Sequence, residues 1–247
     1  MKTNLNRPIG EITKDNLDKI KVICFDRDGV VAKKGTWWTN GKLETFHLVQ
    51  STKYKVQRLA ERFLICITSG RSLEFLEQEW NETDISLHGE IGNFVKHKYV
   101  VTEEVWTASE TETISRIKLK MEGLRDDKIS GFEPKKKIIT LHCKDRIMEV
   151  ERIARDDLLY CWWNGEAYDI GPKRISKGTA IKKWVGGLGI GMDQVMTVGN
   201  GINDSNMTDI VGIDVSTNPE RLEADFVVSG EELGAGKLID RLLELVK

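Results

Sequence analysis

No stretch of this chain is apolar for the roughly 18 residues that a membrane-spanning helix needs. The opening MKTNLNRPIGE carries no apolar core of the kind a secretory leader requires. A soluble protein of the cytoplasm, with no membrane partner, is therefore expected. Charge of one sign is also missing: 37 Lys and Arg against 39 Asp and Glu leave a net −2. That balance excludes the strong basicity by which nucleic-acid binders are recognised, so no nucleic-acid partner is expected. Short basic runs such as Lys135-Lys136-Lys137 read as a solvated strand edge or loop. Cysteine is scarce: Cys24, Cys66, Cys143 and Cys161 lie far apart among apolar residues, and no pair forms C-x-x-C. Buried free thiols are expected, not a disulfide framework or a zinc site. Internal repeats and low-complexity tracts are absent as well.

What is present is an alternation of apolar runs and helix-period runs. The 247 residues exceed the roughly 100–200 of a typical domain, which predicts one large domain or one with a second inserted. Residues 22–25 and 63–68 are continuous apolar strands, and 52–62 and 73–80 are amphipathic helices. Strands alternating with covering helices predict βαβ units and a parallel sheet buried on both faces. The rhythm resumes after Pro172, with a helix over 176–185, a strand over 194–198 and a closing helix over 237–246. Between them lie β-like residues 93–102 and a helix opened by a capping box, Ser109 with Glu112. A strand at 136–143 and a hairpin at Asn164-Gly165 follow. The fold class predicted is α/β, a Rossmann-like parallel sheet with an inserted α+β cap. The core is 1–87 with 173–247, and the cap is 88–172.

Four polar clusters interrupt these elements. In KVICFDRDGVV, Asp26 and Asp28 end an apolar strand, which suits either an active site or a polar turn. A calcium loop counted from Asp26 fails, because its twelfth position is Trp37 where a glutamate is needed. Thr68-Ser69-Gly70-Arg71 offers a hydroxyl and backbone N–H groups at a strand-to-helix turn, suited to an anion or to an ordinary helix cap. Lys177 sits just inside a helix start, where a cation opposes the helix dipole. In VGNGINDSNM, Asn200, Asn203 and Asp204 cluster with two glycines after a strand; oxygen ligands on such a turn suit Mg²⁺, and a plain loop is the alternative.

Taken in order, D-x-D-G, S-G-R, a helical lysine and G-N-x-x-N-D resemble the haloacid dehalogenase superfamily of phosphatases. The resemblance covers about residues 20–230. The place of the insertion is similar to that in the branch with the larger α/β cap, which holds the Cof-type, sucrose-phosphate, mannosyl-3-phosphoglycerate and trehalose-6-phosphate phosphatases. TSGRSLEFL and LHGEIG resemble the trehalose-6-phosphate phosphatases, whereas the last motif is closer to the Cof-type pattern. The resemblance implies Asp26 as nucleophile, and Asp28 as the group that protonates the leaving oxygen and then deprotonates water. It implies Ser69, Gly70, Lys177 and Asn203 around the phosphoryl group. It also implies Mg²⁺ held by Asp26, the Asp28 carbonyl, Asn200 and Asp204. Repulsion between the two strand-end carboxylates is expected to raise the proton affinity of Asp28.

Three departures stand out. Asn200 replaces the usual aspartate and removes one charge from the metal ligands; Val30 replaces a common threonine; Arg27 replaces an apolar residue. Strand alternation predicts that Arg27 points away from Asp26 and Asp28. The function expected is a Mg²⁺-dependent phosphatase for a small phosphomonoester, foremost a sugar phosphate, acting as a monomer or small homo-oligomer. A phosphoglycolate-type small-acid phosphatase, a phosphomutase and a non-catalytic metabolite binder are the alternatives. Trp106, Trp162 and Trp163 are candidates for sugar stacking or cap packing, and Lys173 and Arg174 for an anionic group or solvent.

Overall fold

A computed structural model describes residues 5–39, 42–81, 83–208, 210–228 and 235–247. The apolar runs build one nine-stranded sheet. Its order is Arg7–Pro8, Phe226–Val227, Ile213–Ser216, Val195–Gly199, Val22–Asp26, Leu64–Thr68, Ser86–Gly89, Phe94–His97, Val100–Glu103. The first seven strands are parallel and the last two antiparallel. Alternate residues of Val22–Asp26 enter different cores. Ile23 and Phe25 join Val56 and Leu59 of helix Gln50–Leu59 and Leu238 of helix Ala235–Leu245. Val22 and Cys24 join Ile181 and Trp184 of helix Lys177–Gly187. With both faces covered, period-2 alternation vanishes from the sequence and the strand reads as one apolar run.

The second sheet is antiparallel, in the order Leu159–Trp163, Ala167–Pro172, Ile139–Cys143, Ile129–Glu133. One face, with Ile139, Leu141, Tyr168 and Ile170, packs on helices Ala108–Glu122 and Met148–Ala154. The other face presents Thr140, His142 and Asp169 to a cleft shared with the large sheet.

Four expectations move. The hairpin Phe94–His97 and Val100–Glu103, expected in an insertion beginning at residue 88, extends the large sheet: His88 pairs with Val95, and the tight turn is made by Lys98 at φ 55°. The capping box lies two residues earlier than expected: Thr107 Oγ1 accepts from Glu110 N and Glu110 Oε2 from Thr107 N, the same spacing in a different register. The strand expected at 136–143 begins at Ile139, because the N–H groups of Lys136, Lys137 and Ile138 are given to the Glu90 carboxylate at 2.8, 2.9 and 3.2 Å. In the hairpin at 164, the central turn residues are Gly165 and Glu166. Asn164 N bonds Ala167 O, and its side-chain oxygen accepts from Glu166 N and Ala167 N.

Candidate active site

Three neighbouring parallel strands end together, and their carboxyl ends carry the site. Val22–Asp26 lies between Leu64–Thr68 and Val195–Gly199, with Asp26 directly opposite Thr68. Such strand ends, at the point where the chain order reverses across the sheet, leave a crevice for ligands. Asp26 is 4% exposed, and Asp204 and Lys177 are fully buried. Lys177 Nζ donates to Asp26 Oδ1 and to Asp204 Oδ1, each at 2.6 Å. The dipole misfit of a lysine at a helix start is thus resolved: the helix begins at Lys177, capped by Ser176, and aims the ammonium at two carboxylates. Gly178 allows that approach, since a Cβ there would lie 1.9 Å from Asn206 O.

Two buried carboxylates face one ammonium, so the group is short of positive charge. Burial, followed by the field of Asp204, pushes the Asp26 carboxyl up to about 7 against the opposing pull of Lys177. Asp204 Oδ2 accepts from the N–H of Asn200 and Gly201 at 2.9 and 3.1 Å, which fixes it at the mouth of the turn. Asp26, Asp204 and the Asp28 carbonyl offer oxygen donors, with one oxygen of each side-chain carboxylate bonded to Lys177. A hard divalent cation such as Mg²⁺ fits that set. Asn200, however, turns its Nδ2 to the Asp28 carbonyl at 2.8 Å and so acts here as a donor. Gly29, at φ 82°, makes room for it, because a Cβ there would stand 1.9 Å from Nδ2.

Asp28 departs from expectation. Arg27 Nη1 donates to its Oδ1 at 2.6 Å, and Arg71 donates Nη2 to Oδ1 at 3.1 Å and Nε to Oδ2 at 3.3 Å. Burial raises its proton affinity, but Arg71 and then Arg27 outweigh that, and the carboxyl lies below its ordinary range. Like-charge repulsion therefore loses to two guanidinium groups. Arg27 does not point away, because the strand stops at Asp26 and alternation stops with it. Its fully buried guanidinium also grips Glu79 through Nε and Nη2 and donates to Phe46 O at 2.6 Å.

Ser69 is not the cap of the following helix; that is Ser72, whose Oγ accepts from Phe75 N. Ser69 gives its own N–H to His88 O and accepts from Arg71 N, which holds Ser69 and Gly70 against the cleft. Asn203 lines the same cleft. Thus Asp26, Asp28, Ser69, Gly70, Lys177, Asn200 and Asn203 all line one cleft, with Asp204 behind Lys177.

The wall facing them was largely hidden in the sequence. Lys135, expected to be solvated, is 2% exposed in its side chain and donates Nζ to Gly70 O at 2.7 Å and to Glu133 Oε1. Glu133 also meets His142 Nε2 at 3.0 Å and Arg71 at 3.5 Å. Glu166 accepts from Thr36 Oγ1, and Asp169 from Thr140 Oγ1. Period-2 alternation hinted at Thr140 and His142 in the strand Ile139–Cys143 and at Asp169 in Ala167–Pro172; Glu133, Lys135 and Glu166 stand at a strand end and in turns. Trp106, Trp162 and Trp163 do not line the cleft: Trp106 donates to Asn93, Trp162 stacks on Tyr160 and Trp163 packs on Tyr168. Arg174 pairs with Glu104 and Glu110, and Lys173 donates to Asp156 O, both away from the cleft.

Residues 93–218 match the family model described as haloacid dehalogenase-like hydrolase. No curated protein matches the chain in sequence. Among solved structures, the C-terminal domain of a Candida albicans trehalose-6-phosphate phosphatase superposes with a TM-score of 0.71 at 15% identity, over 98% of this chain and 99% of that one. A trehalose-6-phosphate phosphatase related protein gives 0.67 at 16% identity, over 92% and 99%. A phosphatase of the haloalkanoate superfamily from Bacteroides thetaiotaomicron gives 0.68 at 16% identity, over 92% and 95%. At these identities the likeness is one of fold.

Proposed function

The chain belongs to the haloacid dehalogenase-like hydrolases, and from that premise we propose that it is a Mg²⁺-dependent phosphatase for a small, hydroxyl-rich phosphomonoester. One observation carries this reading: a buried strand-end carboxylate, Asp26, is held by Lys177 and faces a polar cleft. Phosphoryl transfer needs an in-line oxygen nucleophile and positive charge around the phosphate, and little else from the protein.

Asp26 attacks phosphorus and takes the phosphoryl group as an acyl phosphate. Lys177 steadies Asp26 and the charge that develops on the transferring oxygens, while Ser69 and the Gly70 backbone orient them. Mg²⁺, when held by Asp26, the Asp28 carbonyl and Asp204, supplies the charge that keeps Asp26 ionised near neutral pH. Asp28, ionised at rest, takes the proton of the water that hydrolyses the acyl phosphate. In the first transfer the bond from phosphorus to the leaving oxygen breaks as the bond to Asp26 forms. That oxygen takes its proton from Asp28, which must bind one against the pull of Arg71 and Arg27 and recovers it from the water of the second transfer; leaving groups of low basicity depend on that proton least. Across the cleft, Glu133, Lys135, His142, Glu166 and Asp169 alternate donors and acceptors, as a polyhydroxylated leaving group requires. That wall favours a sugar phosphate over a two-carbon acid.

Purified protein is expected to hydrolyse p-nitrophenyl phosphate in Mg²⁺ and to stop in EDTA, read as nitrophenolate release. Equal rates in both would remove the metal from the reading.

Asn200→Asp is expected to act in two directions. The added charge should tighten apparent Mg²⁺ affinity about tenfold or more, followed by thermal shift during a Mg²⁺ titration. In EDTA the same change sets a carboxylate against the Asp28 carbonyl, in place of the 2.8 Å bond. A loss of about 1–2 kcal/mol in stability should follow. An unchanged Mg²⁺ titration would put Asn200 outside the metal's reach.

A further inference from the structure

The cations of the cleft fall into two sets. Lys177 is paired with Asp26 and Asp204, Arg71 with Asp28 and Glu133, and Lys135 with Glu133. Lys34 and Arg221 also line the cleft, and among the described residues neither lies within ion-pair distance of a carboxylate. They come from different strand ends. Lys34 follows the Asp26–Ala32 turn, its Cβ 3.6 Å from where a Cβ on Gly29 would stand. Arg221 follows Ile213–Ser216 in a turn closed by bonds from Arg221 N and Leu222 N to Asn218 O, and Thr217 Oγ1 ties that loop to Gly29 O at 3.1 Å.

Both side chains nevertheless reach the same acceptor. Lys34 Nζ lies 3.1 Å and Arg221 Nη2 3.5 Å from the carbonyl oxygen of Asn164, in the hairpin turn of the second sheet. That carbonyl is held in place by the Asn164 side chain, which accepts from Glu166 N and Ala167 N. Both residues are exposed, so water screens their mutual repulsion, but the carbonyl offers each cation only a partial charge. An anion between them would satisfy both.

We propose that Lys34 and Arg221 form a second anion subsite. The substrate then carries, besides the phosphoryl group cleaved at Asp26, another negatively charged group, a carboxylate or a second phosphate. The inference rests on the phosphatase reading above and narrows it from a hydroxyl-rich monoester to one with two acidic ends. A guanidinium and an ammonium approaching from two sides suit a multidentate oxyanion. The acidic and hydroxyl-bearing residues of the second sheet are left to meet the neutral middle of the molecule.

The test uses three open-chain hexitol compounds that share one phosphate and differ at the far end: sorbitol 6-phosphate, 6-phosphogluconate and sorbitol 1,6-bisphosphate. Binding is measured by calorimetry on the Asp26→Asn protein, and kcat/KM on the unaltered enzyme. One of the two doubly anionic compounds is expected to exceed sorbitol 6-phosphate by about tenfold or more in both readouts. Which of them does so separates a carboxylate subsite from a phosphate subsite. In the Lys34→Met/Arg221→Met protein the ratio is expected to fall to about one, and the single variants Lys34→Gln and Arg221→Gln carry the same comparison if the double variant does not fold. Equal binding of all three, or a preference that survives the substitutions, overturns the subsite. Turnover of p-nitrophenyl phosphate by the unaltered enzyme separates the two failures. If it is present without any preference, only the subsite falls; if it is absent, the phosphatase reading falls.

Discussion

Asp26→Asn is expected to reduce phosphatase turnover about 10⁴-fold or more, while the metal-free protein becomes more resistant to heat. The loss follows from the chemistry, since an amide is not a nucleophile toward phosphorus. The gain follows from the surroundings of Asp26, where two buried carboxylates share the single ammonium of Lys177. Asparagine leaves Lys177 and Asp204 as a neutral pair, and its side-chain oxygen still accepts from Nζ.

A carboxyl whose pKa rises from 3.8 to about 7 on folding binds a proton that the unfolded chain has already released. Folding is therefore favoured at low pH and loses stability as pH climbs from about 4 to about 7, by an upper limit of about 4 kcal/mol. Asparagine does not titrate, so the variant's advantage in EDTA should widen across that window and level off above it. Calorimetric melting at pH 5 and pH 8 measures this, beside nitrophenolate release. A variant with full turnover would end the nucleophile assignment. An advantage no larger at pH 8 than at pH 5 would mean that Asp26 is not charged at a cost.

Glu90→Ala is expected to cost about 3 kcal/mol of stability, roughly 10 °C in melting temperature. Glu90 is fully buried, and its carboxylate accepts the backbone N–H of Lys136, Lys137 and Ile138. It stands at φ 48° and Ile91 follows at φ 60°, two successive left-handed residues that bear side chains. Such backbone costs about 1 kcal/mol or more at each residue and persists only where contacts over-determine it. Here Glu90 N bonds Arg71 O, Ile91 N bonds Ser69 O, and the carboxylate clasps the segment that carries Lys135 into the cleft. Truncation strands three donors and frees that segment, so kcat/KM should fall with the melting temperature. Glu90→Gln, which keeps the shape but turns an NH₂ toward a donor, should lose nearly as much. Melting temperatures unchanged in both variants would show that the 136–138 backbone does not depend on Glu90.

How much of this was legible in the sequence differs from one half of the site to the other. Asp26 and Ser69 were visible because each breaks a pattern, a polar group where a buried apolar strand ends, and Asp204 because it clusters with Asn200 and Asn203 in the glycine-containing turn after a strand. Lys177 was visible for a related reason, as a cation placed against a helix dipole. Local regularity in the chain makes such exceptions readable. Glu133, Lys135, Glu166, Lys34 and Arg221 break no pattern, because they stand in turns and strand ends where polar residues are ordinary.

By itself, then, the sequence determined the two-sided parallel sheet, the order of its motifs and the polar side chains at the strand ends, since these rest on short-range periodicity and its interruptions. Only the tertiary structure decided which cations are neutralised and which are left over, that Arg27 and Arg71 hold Asp28 ionised, and that a lysine in a basic run is buried against Gly70. Charge balance in a cleft is a sum over residues brought together from the whole length of the chain. No local pattern encodes that sum.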